Sequence, residues 1–273
     1  MQQSTKLLSS VHFATFLSPV LYRTYEYIAA YVGKYIGCST SLRTGQSLEE
    51  FAHNTVDIGF ICGLQYVHMQ NRPDCPIELL VAPVLQGQRY QHKPIYYSDI
   101  IVHNESPFTS FEDLQDCTWA YNELASHSGY NLVNYSLLVR NKTLHYFGKM
   151  IATGSHLQSL QAVLEGKAHA SAVDSHLLDV LRQERPEIAA KIRIIDSLGP
   201  STIPPLVVAR KLDENLKYQI RKALTSMHEE SDTMKELHKG CITCFAPIYD
   251  EDYNDIRAMF KQTQQVHAHK VKY

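Results

Sequence analysis

An α/β fold built as two lobes around a cleft is predicted by three features of this 273-residue sequence. Strand-like and helix-like patterns alternate along the chain, the grammar of α/β domains. The segment Leu48–Phe60 reads as helix, turn and strand, and Leu157–Asp174 repeats that order with Leu164-Glu165-Gly166-Lys167-Ala168 as its turn. A long strand pattern at Ile95–Val102 is answered by a return strand at Leu206–Ala209 after a proline-bearing loop. That arrangement is expected of a chain that leaves one lobe, builds a second and comes back. Lobe 1 is expected over residues 1–95 plus 200–273 and lobe 2 over 96–199. The crossings fall near 95–99 and 196–200, with a binding cleft between the lobes.

Each element has its own reason. Val11–Phe16 reads as a first strand, and Ser18-Pro19 opens a helix from about Leu21 to Ile36, with proline near its first turn and Gly37 at its end. Ser39–Arg43 is the second strand. Ser47 caps a short helix with Glu50 three residues on, a capping-box spacing. Val56–Ile61 and Ile77–Pro83 are apolar runs of buried-strand length. Beyond the crossing strand, Ser110–Leu114 makes a capped turn before a strand at Thr118–Tyr121, and Asn131–Leu138 has helical spacing of apolar residues. Ser155–Leu164 is an amphipathic helix closed by Gly166. Ala170–Asp174 is a strand ending in a polar residue and leads into a helix over Ser175–Arg182. Ile192–Asp196 is a strand, Pro200, Pro204 and Pro205 mark a loop, and helices are expected over Asp213–His228 and Tyr253–Gln262.

Composition narrows the function classes. The chain is 44% hydrophobic and 20% charged, an ordinary globular balance. A net charge of −2 provides no field for nucleic acid or an anionic membrane surface. No apolar run approaches the roughly 18 residues that membrane insertion requires. Met1-Gln2-Gln3-Ser4-Thr5-Lys6 leads straight into strand-like sequence, which predicts a cytoplasmic protein, or a periplasmic one if the chain is a trimmed mature form. Cys241-Ile-Thr-Cys244 is a lone CxxC. A zinc site wants a second pair, so the two are read as ordinary thiols, and no metal and no cofactor is expected. His267 and His269 lie in a polar C-terminal stretch and are read as solvated.

The most informative stretch is Ala125-Ser126-His127-Ser128-Gly129-Tyr130, between the strand at 118–121 and the helix that follows. A helix start carries unpaired N–H groups and the positive end of the dipole. Ser126 and Ser128 add hydroxyls, and Gly129 lets a ligand come close, so the turn has the makings of an anion site. An ordinary serine N-cap is the alternative. Taken singly, His156 is a helix cap or solvated donor, Tyr97 is strand packing, and Asp174 is a turn residue or N-cap.

Several motifs, in order from about residue 8 to residue 210, resemble the phosphate/phosphite/phosphonate-binding proteins, type 2 periplasmic solute-binding proteins of ABC transporters. In the first lobe they are Ser18-Pro19-Val20-Leu21-Tyr22, Tyr25-Glu26-Tyr27-Ile28-Ala29 and Val56 through Val67. In the second they are Tyr96 through Val102, Ser126-His127-Ser128-Gly129-Tyr130, Gly154-Ser155-His156 and Ala172-Val173-Asp174-Ser175. The resemblance implies that Ser126, His127 and Ser128 cradle an oxyanion, with Tyr97 and His156 as further donors. It also implies that Asp174 accepts from a protonated ligand oxygen and that Tyr66 closes from the first lobe. His127 departs from the family, which usually has threonine there.

The implied function is solute-binding-protein-like binding of a small phosphorus oxyanion or organophosphonate in the cleft, with a permease partner left open. The competing reading is a cytosolic enzyme on the same fold acting on a small phosphorylated or carboxylated metabolite, with His127, His156 and Asp174 as acid and base.

Overall fold

A computed structural model describes the backbone of residues 10–270 and the side chains through Gln265. The readings of Met1–Lys6 and of the His267 and His269 side chains lie outside the described residues. The strands are β1 Ser10–Thr15, β2 Ser39–Thr44, β3 Ile58–Phe60, β4 Ile77–Leu85, β5 Ile95–His103, β6 Thr118–Tyr121, β7 Lys149–Ala152, β8 Ala170–Asp174, β9 Ile192–Thr202, β10 Leu206–Ala209 and β11 Ile242–Ala246. The helices are α1 Tyr22–Ile36, α2 Glu49–Ala52, α3 Gly63–Gln70, α4 Leu132–Val139, α5 His156–Leu164, α6 Ser175–Glu184, α7 Pro186–Ala189, α8 Glu214–Ser226, α9 Ser231–Lys239 and α10 Asn254–Lys270.

They form two sheets, each the centre of a lobe. The first runs β11-β4-β10-β3-β1-β2 and the second β7-β6-β8-β5-β9. Apart from the extra edge strand β11, the orders match. β2-β1-β3 is parallel in the first sheet, as β7-β6-β8 is in the second, and an antiparallel strand, β10 or β5, lies beside the third. The repeated helix–turn–strand segments fall on α2–β3 and α5–β8, the same place in both sheets. The chain passes between the sheets at β4–β5 and at β9–β10, and residues 95/96 and 199/200 lie inside β5 and β9. The helix α10 touches both lobes. His68 of α3 packs its ring 4.7 Å from Phe260, while Thr263 meets Asn131 beside α4 at 3.2 Å.

Three differences from the sequence reading have physical causes. Residues 63–70 form a helix, α3, that the sequence pattern does not announce. Gly63, Leu64, Tyr66, Val67 and Met69 are buried, and only a narrow polar strip of Gln65 and His68 faces outward, so the amphipathic pattern that marks a helix is weak. The expected loop at Pro200 is instead the end of an eleven-residue strand, β9. The β5–β9 register shifts between Tyr96 and Ser98, so Pro200 sits at an irregularity where no ladder N–H is required. Between the two predicted C-terminal helices lie α9 and the edge strand β11, which carries Cys244.

The lobes are tied down near the crossing by a buried charge. Asp99 of β5 is fully buried and receives Arg89 Nη1 and Nη2 at 3.1 and 2.6 Å, with the Ser197 hydroxyl donating at 2.6 Å. Removing one partner of such a pair strands a charge in low dielectric. Arg89→Met is therefore expected to lower unfolding stability by about 3 kcal/mol. Arg89→Met/Asp99→Asn should recover part of that loss. Urea denaturation of the two variants checks this, and equal losses would mean that the pair's charge is not what matters.

Candidate functional site

The site lies at the carboxyl ends of the parallel strands of both sheets, where open α/β sheets hold their ligands. A cavity of about 270 Å³ is lined there by residues just beyond β1, β3, β6 and β8, among them Leu17, Cys62, Asn122 and Asp174. Helix starts converge on it. Ser18 precedes the short turn leading to α1, Cys62 is the N-cap of α3, and Ser126 is the N-cap of the π-turn 127–131 that runs into α4. Ser155 caps α5 and Asp174 caps α6. All five of these residues line the cavity.

The polar wall belongs mainly to the second lobe. Ser126 Oγ accepts from the Gly129 N–H at 3.0 Å. Ser128 Oγ lies 3.1 Å from His156 Nε2, and the hydroxyl of Tyr96 also faces Ser128. The Ser128 carbonyl accepts from Ser98 of β5 at 2.7 Å, which fixes the turn to the sheet. Asn122 is buried at the cavity wall, and its Oδ1 has no hydrogen-bond partner among the described residues. An unpaired buried amide of this kind costs free energy unless something else meets it. Rotation of the amide presents NH₂ in place of the oxygen. Gly129 makes this possible, since a Cβ there would stand 1.9 Å from Asn122 Oδ1.

The charges are unusual for an anion site. Among the described residues lining the cavity there is no lysine or arginine. Desolvation pushes His156 down to about 4, so its ring is neutral near pH 7. Asp174 spends Oδ1 on the N–H groups of His176 and Leu177, at 2.8 and 3.2 Å. Burial nevertheless pushes its carboxyl up to about 7, with Asp99 and Asp179 adding to the rise. Attraction for an anion here is left to helix ends and neutral donors.

Of the expected site residues, Ser126, Ser128, His156 and Asp174 come together here, and Tyr97, His127 and Tyr66 do not. Tyr97 is displaced by one position. Neighbouring strand residues face opposite sides, and it is Tyr96 that lines the cavity. Tyr97 donates its hydroxyl to the Arg89 carbonyl at 3.2 Å and lies under the Arg89 guanidinium. His127 is fully buried behind the turn. Its Nδ1 faces Asn131 Nδ2 at 3.1 Å, so Nε2–H donates to Ser201 at 2.8 Å, and Ser201 donates to Asp255 of α10. The set of His127, His156 and Asp174 expected of an enzyme is therefore not assembled. Tyr66 donates to Asp250 at 2.7 Å and packs at a tilt against Tyr253, lining a separate depression on the first lobe. The first lobe meets the cavity instead through Leu17, Tyr25, Phe60 and Cys62. The Cys62 sulfur faces the His127, Leu64 and Gln65 N–H groups. The sequence signal for Cys62 was its position before Gly63; Asn122 had only its place after β6.

Two matched sheets with a cleft at their carboxyl ends define a class, the two-lobed type 2 periplasmic binding proteins. A family model described as "ABC transporter, phosphonate, periplasmic substrate-binding protein" matches residues 12–253, and the chain belongs to that family. The chain is 24% identical to the phosphonates-binding periplasmic protein of Escherichia coli over 183 residues, 65% of this chain and 54% of that one, so it spans about half the length of this relative. A binding component of an ABC phosphonate transporter from Pseudomonas aeruginosa is similar in fold at 18% identity, with a TM-score of 0.81 over 93% of this chain and 86% of that one. So is a Prochlorococcus marinus protein in complex with methylphosphonate, at 13% identity and a TM-score of 0.79 over 94% and 98% of the two chains. The family description is periplasmic, and the cytoplasmic location expected from the N-terminal sequence finds no support in it.

Gly129→Ala is expected to cost roughly 1–3 kcal/mol, the range of overpacked interiors, because its Cβ meets the Asn122 amide. Asn122→Ala in the same chain should remove most of that cost. A double-mutant cycle on unfolding free energy reads the coupling, and additive losses would refute the contact.

Proposed function

We propose that the chain binds a phosphorus oxyanion of the phosphonate class between its lobes, in the periplasm, and delivers it to a membrane permease. The observation that carries this reading is the convergence of five helix starts on one cavity, four of them with side-chain caps at Ser18, Ser126, Ser155 and Asp174. Family membership supports it, as does the fold shared with a methylphosphonate complex. In this reading Ser126 and Ser128 cradle the anion, and His156 donates its Nε2–H to the Ser128 hydroxyl, which leaves the Ser128 O–H free to point at the anion. Tyr96 and Asn122 complete the head site. Asp174, protonated, hydrogen-bonds a ligand oxygen. Residues 96–199 move against 1–95 and 200–273 when a ligand bridges them, since only differential affinity for the closed form drives closure.

Two measurements test the reading. Ser128→Ala should weaken methylphosphonate binding by about 1–3 kcal/mol, the worth of a hydrogen bond to a charged group, with less effect on the melting temperature. Calorimetry giving wild-type affinity for this variant would remove Ser128 from the site. The second is a pH profile. Asp174 is held protonated below about 7 and above it becomes a negative charge that the two N–H groups of α6 compensate only in part. Affinity for an anion is then expected to fall by about tenfold between pH 6 and pH 8 on this account alone. Asp174→Asn should lose that component while keeping the ligand's own titration. His156, already neutral through this range, adds no slope. Parallel pH profiles for wild type and Asp174→Asn would rule the carboxyl out.

A further inference from the structure

The two halves of the cavity wall differ in chemistry. The second lobe, the helix caps and the Tyr25 hydroxyl, within electrostatic reach of Asp174, supply the polar groups, whereas the first lobe and the return crossing supply a wall of Leu17, the Tyr25 ring, Phe60, Ile203, Leu206 and Phe245. Tyr25, Phe60, Ile203, Leu206 and Phe245 are buried, and the ring of Tyr25 stacks on Phe60 at 3.8 Å. A cavity of about 270 Å³ is much larger than a five-atom tetrahedral oxyanion fills. The apolar part of such a space gives water no hydrogen bonds, and apolar cavities take up hydrocarbon in preference.

We infer that the ligand is a tetrahedral phosphorus oxyanion bearing an uncharged hydrocarbon substituent of several carbons, with its head among the second-lobe donors and its hydrocarbon against the first-lobe wall. This rests on the oxyanion reading above and adds the nature of the substituent. An ammonium substituent fits poorly. The carboxylates at the cavity are Glu123, exposed at the second-lobe rim, and Asp174, on the polar wall and engaged with α6. An ammonium turned toward Phe60 and Leu206 would be stripped of water without a counter-charge. A carboxylate substituent has no cation to meet, because none of the described lining residues is lysine or arginine. Inorganic phosphate and methylphosphonate leave the apolar wall uncovered. The absence of cations also favours a singly charged head over a dianion, since dipoles and neutral donors compensate one charge more readily than two.

The test is a calorimetric series on the full chain at pH 6 with phosphate, methylphosphonate, 2-aminoethylphosphonate, propylphosphonate and phenylphosphonate. Each buried methylene is worth about fourfold in affinity, so propylphosphonate is expected to bind more than tenfold tighter than methylphosphonate. It should exceed 2-aminoethylphosphonate, which has nearly the same length, by a similar factor, and phenylphosphonate should follow propylphosphonate. Methylphosphonate binding with no gain for propyl, or 2-aminoethylphosphonate binding more tightly than propyl, would overturn the hydrocarbon assignment and leave the oxyanion reading standing. No binding by any of the five would overturn both. Leu17→Asn, at a half-buried position on the wall, should cut the propyl-to-methyl ratio at least threefold. An unchanged ratio in a variant with a wild-type melting temperature would place the substituent elsewhere.

Discussion

Everything at the cleft depends on one constraint: parallel strands that end together and start their helices together. In each sheet the order second, first, third strand, with an antiparallel strand beside the third, puts the ends of β1, β3, β6 and β8 on one side. Each strand is followed by a turn and a helix start, so the same topology that buries the strands aims several helix N-termini at one small volume. An oxyanion can then be held by backbone polarity and hydroxyls, without lysine or arginine. The sequence shows this as N-cap residues at strand ends: Ser126 after β6, Ser155 after β7, and Asp174 as the last residue of β8.

What holds this arrangement is a second layer of contacts behind the cleft. The turn 126–129 is fastened to β5 by Ser98, to β9 through His127 and Ser201, and to α10 through Asp255. Thr202 adds its own N–H and hydroxyl to the Asp255 carboxylate. Desolvation pushes His127 down to about 4, so near neutral pH it is a neutral donor in this chain of hydrogen bonds. Its role explains how a histidine is accommodated where the resemblance leads one to expect threonine. The ring faces the crossing strand, filling space behind the turn, and the turn's ligand-facing side is left to Ser126 and Ser128. Cap geometry held this way is preorganised, which lowers the ordering cost of binding.

The fold was legible because its signals are periodic and local. Alternating strands and helices, the echo at Leu48–Phe60 and Leu157–Asp174, and the paired crossings all follow from chain order. Of the four site residues that assemble, Ser126 and Asp174 were legible as caps at strand-to-helix junctions that the pattern locates, and Ser128 and His156 as their neighbours at such junctions. The rest required tertiary information. Choosing Tyr97 over Tyr96 needs strand register to one residue, and β5 carries an irregularity at that point. The resemblance alone places Tyr66 in the cleft, and that its side chain turns instead to Asp250 and Tyr253 is a matter of tertiary packing. Asn122 becomes notable only when Gly129 is seen to abut its amide.

The neutrality of the site bears on how it releases as well as holds a ligand. A cleft lined with arginine gains much from an anion, but buried cations left unpaired are expensive. Here the second-lobe helix starts are capped within the chain: Ser126 by bonding Gly129, Ser155 by bonding Gln158, and Asp174 by bonding His176 and Leu177. The caps therefore keep most of their hydrogen bonds whether or not a ligand is bound, and an anion adds to a satisfied frame. The remaining gain must come from the Ser128, Tyr96 and Asn122 groups at the head and from apolar contact with the first lobe. On the proposed reading, ligand contact with both the polar wall and the wall of Phe60 and Leu206 requires the lobes to approach, so that wall would couple recognition to closure. The polar half alone would bind an anion equally well in an open cleft, and equal affinity for two states shifts neither.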